Sequence, residues 1–143
     1  MEEVQLTQHF TLNEFCKPSI TIDGTFDNTP SGKEVVNLYA LCVNVLEPIR
    51  GWAQVPMIIN SGFRSLESNR ACGGVPNSQH MSGMAADFTF TDRRVLEKVA
   101  YYLMSDECPI DFDQCIYYRS RMFIHISYNP NTEHNRKQGI IRR

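Results

Sequence analysis

The chain has 143 residues, 42% of them apolar and 21% charged, which is enough for one globular domain around a single core and too little for a second independent one. A formal charge of −2 excludes a general electrostatic pull toward nucleic acid or anionic membrane. The last residues, from Asn135 to Arg143, are locally basic and are expected to form a solvated end.

The start, Met1-Glu2-Glu3-Val4-Gln5, is acidic and has no basic patch followed by an apolar run, so no secretory signal is expected. Asn, Glu or Arg interrupts every hydrophobic stretch well short of the roughly 20 residues that span a bilayer. The expectation is a soluble protein without a membrane partner. Five scattered cysteines without a CxxC pair fit reduced thiols better than a disulfide framework, and Cys42 and Cys115, inside apolar runs, are expected to be buried.

Thr11-Leu12-Asn13-Glu14 has capping-box spacing and Pro18 follows closely, which predicts a short helix to about Lys17. Ser19 to Pro30 is rich in Asp, Gly, Asn and Pro and reads as a loop. Ser31 and Glu34 form a second capping box. Val35, Leu38, Leu41, Cys42, Val45, Leu46 and Ile49 then recur at helical spacing, which makes this the main core helix, with Pro48 near its end and Gly51 as a natural stop.

Met57 to Asn60 reads as a strand and Leu66 to Ala71 as one or two helical turns, followed by an irregular loop through Gly73-Gly74, Pro76 and Asn77. Ala85 to Phe90 is a second strand, with Phe88 and Phe90 on one face and Asp87 and Thr89 on the other. Thr91-Asp92 caps a helix striped by Val95, Leu96, Val99, Leu103 and Met104. Phe112 to Tyr118 and Met122 to Tyr128 form a hairpin. Trp52, Tyr101 and Tyr102 sit at helix ends and are expected to serve packing rather than carbohydrate binding. The order of elements predicts an α+β domain, a small antiparallel sheet covered by helices, occupying residues 1–143.

The chemistry concentrates in Ser78-Gln79-His80-Met81-Ser82-Gly83-Met84-Ala85-Ala86-Asp87. A continuous helix would separate His80 from Asp87 by about 10 Å, and a continuous strand by roughly 23 Å. Neither lets both residues ligate one ion at about 2 Å, so a shared metal requires the chain to reverse between them. Gly83 makes that reversal inexpensive. In Phe123-Ile124-His125-Ile126-Ser127 the isoleucines point one way and His125 the other. Two histidines and a carboxylate leave one position of a tetrahedral zinc open for water, as in catalytic sites.

SxHxxGxAxD followed by an isolated strand histidine resembles the signature of the zinc D-Ala-D-Ala carboxypeptidase family, whose fold is shared by the hedgehog signalling domain and several phage endolysins. The resemblance extends to Phe10-Thr11-Leu12-Asn13-Glu14-Phe15, Leu46-Glu47-Pro48-Ile49-Arg50, Asn60-Ser61-Gly62-Phe63-Arg64-Ser65, Gly73-Gly74, Asp113-Gln114 and Asn135-Arg136-Lys137-Gln138, and so covers nearly the whole chain. It implies a hedgehog/DD-peptidase-like fold with His80, Asp87 and His125 as zinc ligands. It further implies that Arg64 stabilises the oxyanion or holds a substrate carboxylate and that Ser78 contacts substrate. Taken singly, Arg64 also suits a structural salt bridge, and Ser78 a loop hydrogen bond.

Where many relatives carry an acidic general base three residues before the last histidine, this chain has Met122. Tyr118 and Phe123 stand where others have an acid or a histidine. Asp113, Tyr118 and His134 are the remaining candidates for the base. The resemblance implies a zinc metallopeptidase acting on peptidoglycan stem peptides, as a D-Ala-D-Ala carboxypeptidase or an endolysin-type endopeptidase. The alternative is a catalytically inactive zinc-containing binding or virion-structural module. A monomer is expected, held in a host cytoplasm before release to the cell wall, or carried on a virion.

Overall fold

The computed structural model describes residues 3–17 and 28–143. Most of the loop expected from Ser19 to Pro30 lies outside the described residues. The fold is α+β: among the described residues there are five α-helices and a five-stranded sheet, with the core between one face of the sheet and the longer helices. Among the described residues no helix is long and apolar enough to cross a membrane.

The first helix, α1 (Leu12–Phe15), is fixed by its capping box, in which the Thr11 N–H donates to Glu14 Oε2 at 2.7 Å. The second box, Ser31 with Glu34, opens a helix that runs as α2 (Gly32–Leu41), a π-helical turn (Cys42–Leu46) and α3 (Glu47–Ala53). The predicted apolar stripe faces the core, where Leu38, Leu41, Cys42, Val45, Leu46 and Ile49 are buried. Pro48 neither ends the helix nor breaks it. It has no N–H to give the Asn44 carbonyl, and its ring would crowd that group. The wider π turn just before it absorbs the defect, the Glu47 N–H reaching back to the Cys42 carbonyl. Gly51 is not the stop either; the helix closes at Gln54, in a left-handed conformation with φ of 63°.

The sheet runs in the order β1 (Ile58–Ser61), β2 (Ala85–Thr89), β4 (Phe123–Ser127), β3 (Gln114–Tyr118), β5 (Gln138–Arg142). β3 and β4 form the predicted antiparallel hairpin. The basic end is largely exposed, as expected, but Gln138–Arg142 forms an edge strand, parallel to β3. It had no clear alternation to reveal it, because an edge strand exposes most of its side chains.

Two further helices complete the fold. α4 (Leu66–Ala71) spans the residues expected, capped by Ser65, and α5 (Arg93–Leu103) is capped by Asp92, which accepts from the Arg94 N–H at 2.8 Å. Leu96, Val99, Ala100 and Leu103 are its buried face. Trp52 on α3 stacks on Tyr102 of α5, centroids 4.1 Å apart and planes 5° from parallel, so these aromatics do pack between helices. All five cysteines are free; Cys42, Cys108 and Cys115 are buried, and burial pushes the Cys115 thiol up to about 12.

Candidate metal centre

The two faces of the sheet differ. On one, Ala86, Phe88, Cys115, Tyr117, Ile124 and Ile126 belong to the core. On the other, the strand register aligns a single row across all five strands: Ser61, Asp87, His125, Ile116 and Ile140. Strand alternation alone therefore brings Asp87 and His125 side by side, although 38 residues separate them.

His80 reaches the same place by the reversal its sequence requires. Ser78 caps a 3₁₀ turn, Gln79–Ser82, its Oγ accepting from the His80 N–H at 3.2 Å. Gly83 then takes φ of 75°. A Cβ there would lie 2.5 Å from the Glu34 carbonyl oxygen on α2, so both conformation and space demand glycine. The turn is anchored from the helix side by Asn37, whose Nδ2 donates to the Ser82 carbonyl at 2.8 Å.

The three side chains converge on one carboxylate oxygen. His80 Nε2 lies 3.1 Å and His125 Nδ1 2.9 Å from Asp87 Oδ1, and one donor atom from each residue falls within 4.8 Å of the others. Burial by itself would push Asp87 up, but the two imidazoles outweigh it and hold the carboxyl well below the usual carboxylate range. His80 Nδ1 sits 2.7 Å from the Gly62 carbonyl. A carbonyl only accepts, so Nδ1 carries the proton, and Nε2 then faces an acceptor-only carboxylate. That pair needs a cation between its members, either a second ring proton or a metal.

Imidazole nitrogens and a carboxylate are the donors zinc takes, and ligands about 2 Å from a tetrahedral ion lie roughly 3.3 Å apart. The two imidazole–carboxylate separations are within a few tenths of an ångström of that spacing. The donor set fits zinc.

A second layer of contacts orients the first. The Arg64 backbone N–H donates to the His80 carbonyl at 3.1 Å, and its guanidinium meets Asp87 Oδ2 at 3.4 Å, Ser61 Oγ at 3.0 Å and Asn69 Oδ1 at 3.4 Å. Ser61 owes its position to a β-bulge: the register slips by one residue between Ile59 and Ser61, so Ser61 rather than Asn60 stands opposite Asp87. Asn28 clamps the arginine loop, donating to the Phe63 carbonyl at 3.0 Å and accepting from the Ser65 N–H at 2.8 Å. Gly62 passes so close to Phe15 that a Cβ would lie 2.6 Å from its Cα. This backbone approach sets the carbonyl that fixes the His80 ring.

The structure thus brings together His80, Asp87, His125 and Arg64, with Ser78 capping the His80 turn. Asp113 stands apart. Its carboxylate accepts from Arg136 Nε at 2.8 Å and Nη2 at 3.2 Å, and from Gln79 Nε2 at 3.0 Å. Burial pushes Asp113 up, but the Arg136 hydrogen bonds prevail and hold it below its ordinary value. Tyr118 stacks on Phe123, the centroids 4.6 Å apart, two residue pairs along the sheet from His125. His134 is exposed in a 3₁₀ turn, Thr132–His134, and Met122 occupies the left-handed region at the hairpin turn, with φ of 59°. Asn28, Asn69 and Gln79 were not singled out by sequence; nothing in their local spacing marks them, since each acts across a loop.

The family model described as Peptidase M15 matches residues 8–127, which include all three converging side chains and Arg64. The chain belongs to the peptidase M15 family. No curated protein matches it. Peptidases of the M15 family are in general zinc-dependent, and among the described residues His80, Asp87 and His125 form a group that could hold a metal ion.

Proposed function

We propose that this M15 chain is a zinc metallopeptidase that hydrolyses peptidoglycan stem peptides, by removing a terminal D-Ala or by cutting within the stem, and that it acts as a one-domain monomer. The observation that carries the reading is the convergence of two imidazoles on one oxygen of a buried carboxylate, on the face of the sheet turned away from the core. Zinc held there supplies a Lewis acid and an acidified water. His80 keeps Nε2 free for the ion by donating its Nδ1 proton to the Gly62 carbonyl. Asp87 is kept ionised by the two imidazoles and oriented by Arg64, whose guanidinium would also place fixed positive charge beside the reacting carbonyl. Ser78 holds the His80 turn and is half-buried beside it.

Proton transfer is the open assignment. Asp113 is engaged by Arg136 and Gln79 and reaches the centre only through Gln79, the neighbour of His80. We assign it to positioning that turn rather than to abstracting a proton. Tyr118, on the same face as His125, is then the nearest of the earlier candidates along the sheet.

The test is to incubate zinc-loaded protein with defined muropeptides and follow products by mass spectrometry, with chelated protein and His125→Ala as controls. Loss of D-Ala or a cut within the stem, absent from both controls, is the expected result. Intact substrate beside one bound zinc per chain would instead support an inactive binding or virion-structural module. The specific feature favouring that second reading is Met122 at the hairpin turn, where an acid would stand.

A further inference from the structure

Four guanidiniums fall into two classes. Arg64 is bound to Asp87, and Arg136 to Asp113. Arg121 and Arg142, by contrast, are exposed, and among the described residues neither is ion-paired. Both stand beside the same feature, the stacked pair of Tyr118 and Phe123. The Arg121 Cζ lies 5.2 Å from the centroid of the Phe123 ring, and Arg142 is the register partner of Tyr118 across the parallel β3–β5 ladder.

This group shares the face of the metal ligands. Phe123 precedes His125 by two residues on β4, and Tyr118 follows Ile116, the register partner of His125, by two on β3. Residues i and i+2 of a strand point the same way and lie about 6.8 Å apart. An extended peptide advances roughly 3.4 Å per residue, so a substrate whose scissile carbonyl lies at the metal centre would set a group about two residues away over Tyr118 and Phe123. Its floor would be half-buried aromatic surface and its rim two guanidiniums without a carboxylate of their own. A guanidinium resting on an aromatic ring is held in a defined position with its N–H fork still available.

We propose that Arg121 and Arg142, over the Tyr118–Phe123 floor, form a subsite for a carboxylate carried by the substrate about two residues from the scissile bond. The proposal rests on the peptidase reading and deepens it: the preferred substrates are acidic stem peptides, and the subsite discriminates a free glutamyl α-carboxylate from its amide. Arg64 does not supply this selectivity, because its nitrogens already serve Asp87, Ser61 and Asn69.

The experiment compares two stem pentapeptides that differ only in whether the glutamyl α-carboxylate is free or is the primary amide. Both are tested on zinc-loaded protein for turnover and, by calorimetry, for binding. The wild type is expected to prefer the free acid in kcat/KM by about tenfold, the size of one charge-assisted hydrogen-bond set. Arg121→Gln with Arg142→Gln is expected to bring that ratio close to one, whereas Arg94→Gln, on the exposed start of α5, leaves it at the wild-type value. A wild-type ratio near one, or a ratio unchanged in the double variant, overturns the subsite. If neither peptide is hydrolysed, the peptidase reading falls, and calorimetry still decides the subsite. Tighter binding of the free acid, lost in the double variant, keeps it; equal binding or none overturns it.

Discussion

Asp87 and Phe88 are adjacent in sequence and occupy opposite faces of one strand. Phe88 is wholly buried among core side chains and forms an edge-on pair with Phe90, centroids 6.0 Å apart. Asp87 is also almost wholly buried, but its surroundings are two imidazoles and a guanidinium. A strand presents its two faces with a period of two, so one residue of displacement exchanges a packing role for a chemical one. The comparison teaches that burial by itself does not rank residues here; what each buried group is paired with does.

The sharpest way to break the comparison is to truncate each residue in turn. Asp87→Asn should abolish turnover and reduce bound zinc from one per chain toward none by metal analysis, because a neutral amide neither attracts the cation nor balances two imidazoles. Phe88→Ala should cost about 3–5 kcal/mol in denaturant unfolding while the folded fraction keeps its zinc. If Phe88→Ala lost the metal at full folding, the separation of the two faces would fail.

A milder change tests how far the chemical face depends on its second layer. Asn69 is buried on α4, where it accepts from Arg64 and donates to the Val75 carbonyl at 2.8 Å. Asn69→Ala should lower kcat/KM by about tenfold, within the range of lost outer-layer partners. Zinc stoichiometry should remain at one, since no ligand is removed.

The smallest effect expected is on the Arg136–Asp113 pair, which ties the C-terminal strand to the His80 turn. Asp113 has its pKa lowered in the folded chain, so its contribution to stability is present above the ordinary carboxyl value of 3.8 and is lost as pH falls through the folded value. Arg136→Gln should therefore lower the denaturant midpoint only slightly at pH 7, because Arg136 is largely exposed and its pairing is screened by solvent. The difference from wild type should shrink below about pH 4. A gap that widened in acid would reverse the sign and refute the assignment.

Much of this architecture was legible in the chain. The two capping boxes, the stripe of the core helix and the hairpin follow from local spacing, and local spacing acts within a turn or a strand. The reversal at Gly83 was legible for a different reason: one shared ion is incompatible with either regular extension between His80 and Asp87. Pro48 and Gly51 misled because a π turn, stabilised by core packing on α2 and α3, carried the helix past both of them. The Gln138–Arg142 strand was hidden because only its pairing with β3 makes it a strand.

By itself, the sequence determined the α+β class, the type of ligand at the metal centre and the face of each strand that carries it, since these depend on residue chemistry and on a period of two. Only the tertiary structure decided that Ser61 rather than Asn60 stands opposite Asp87, that Arg64 is held by Asp87 and Asn69, and that Asp113 is engaged by Arg136. Each of those depends on a register or a loop crossing between segments distant in the chain. Such pairings are selected by the free energy of the whole packed fold, and no local window of residues contains it.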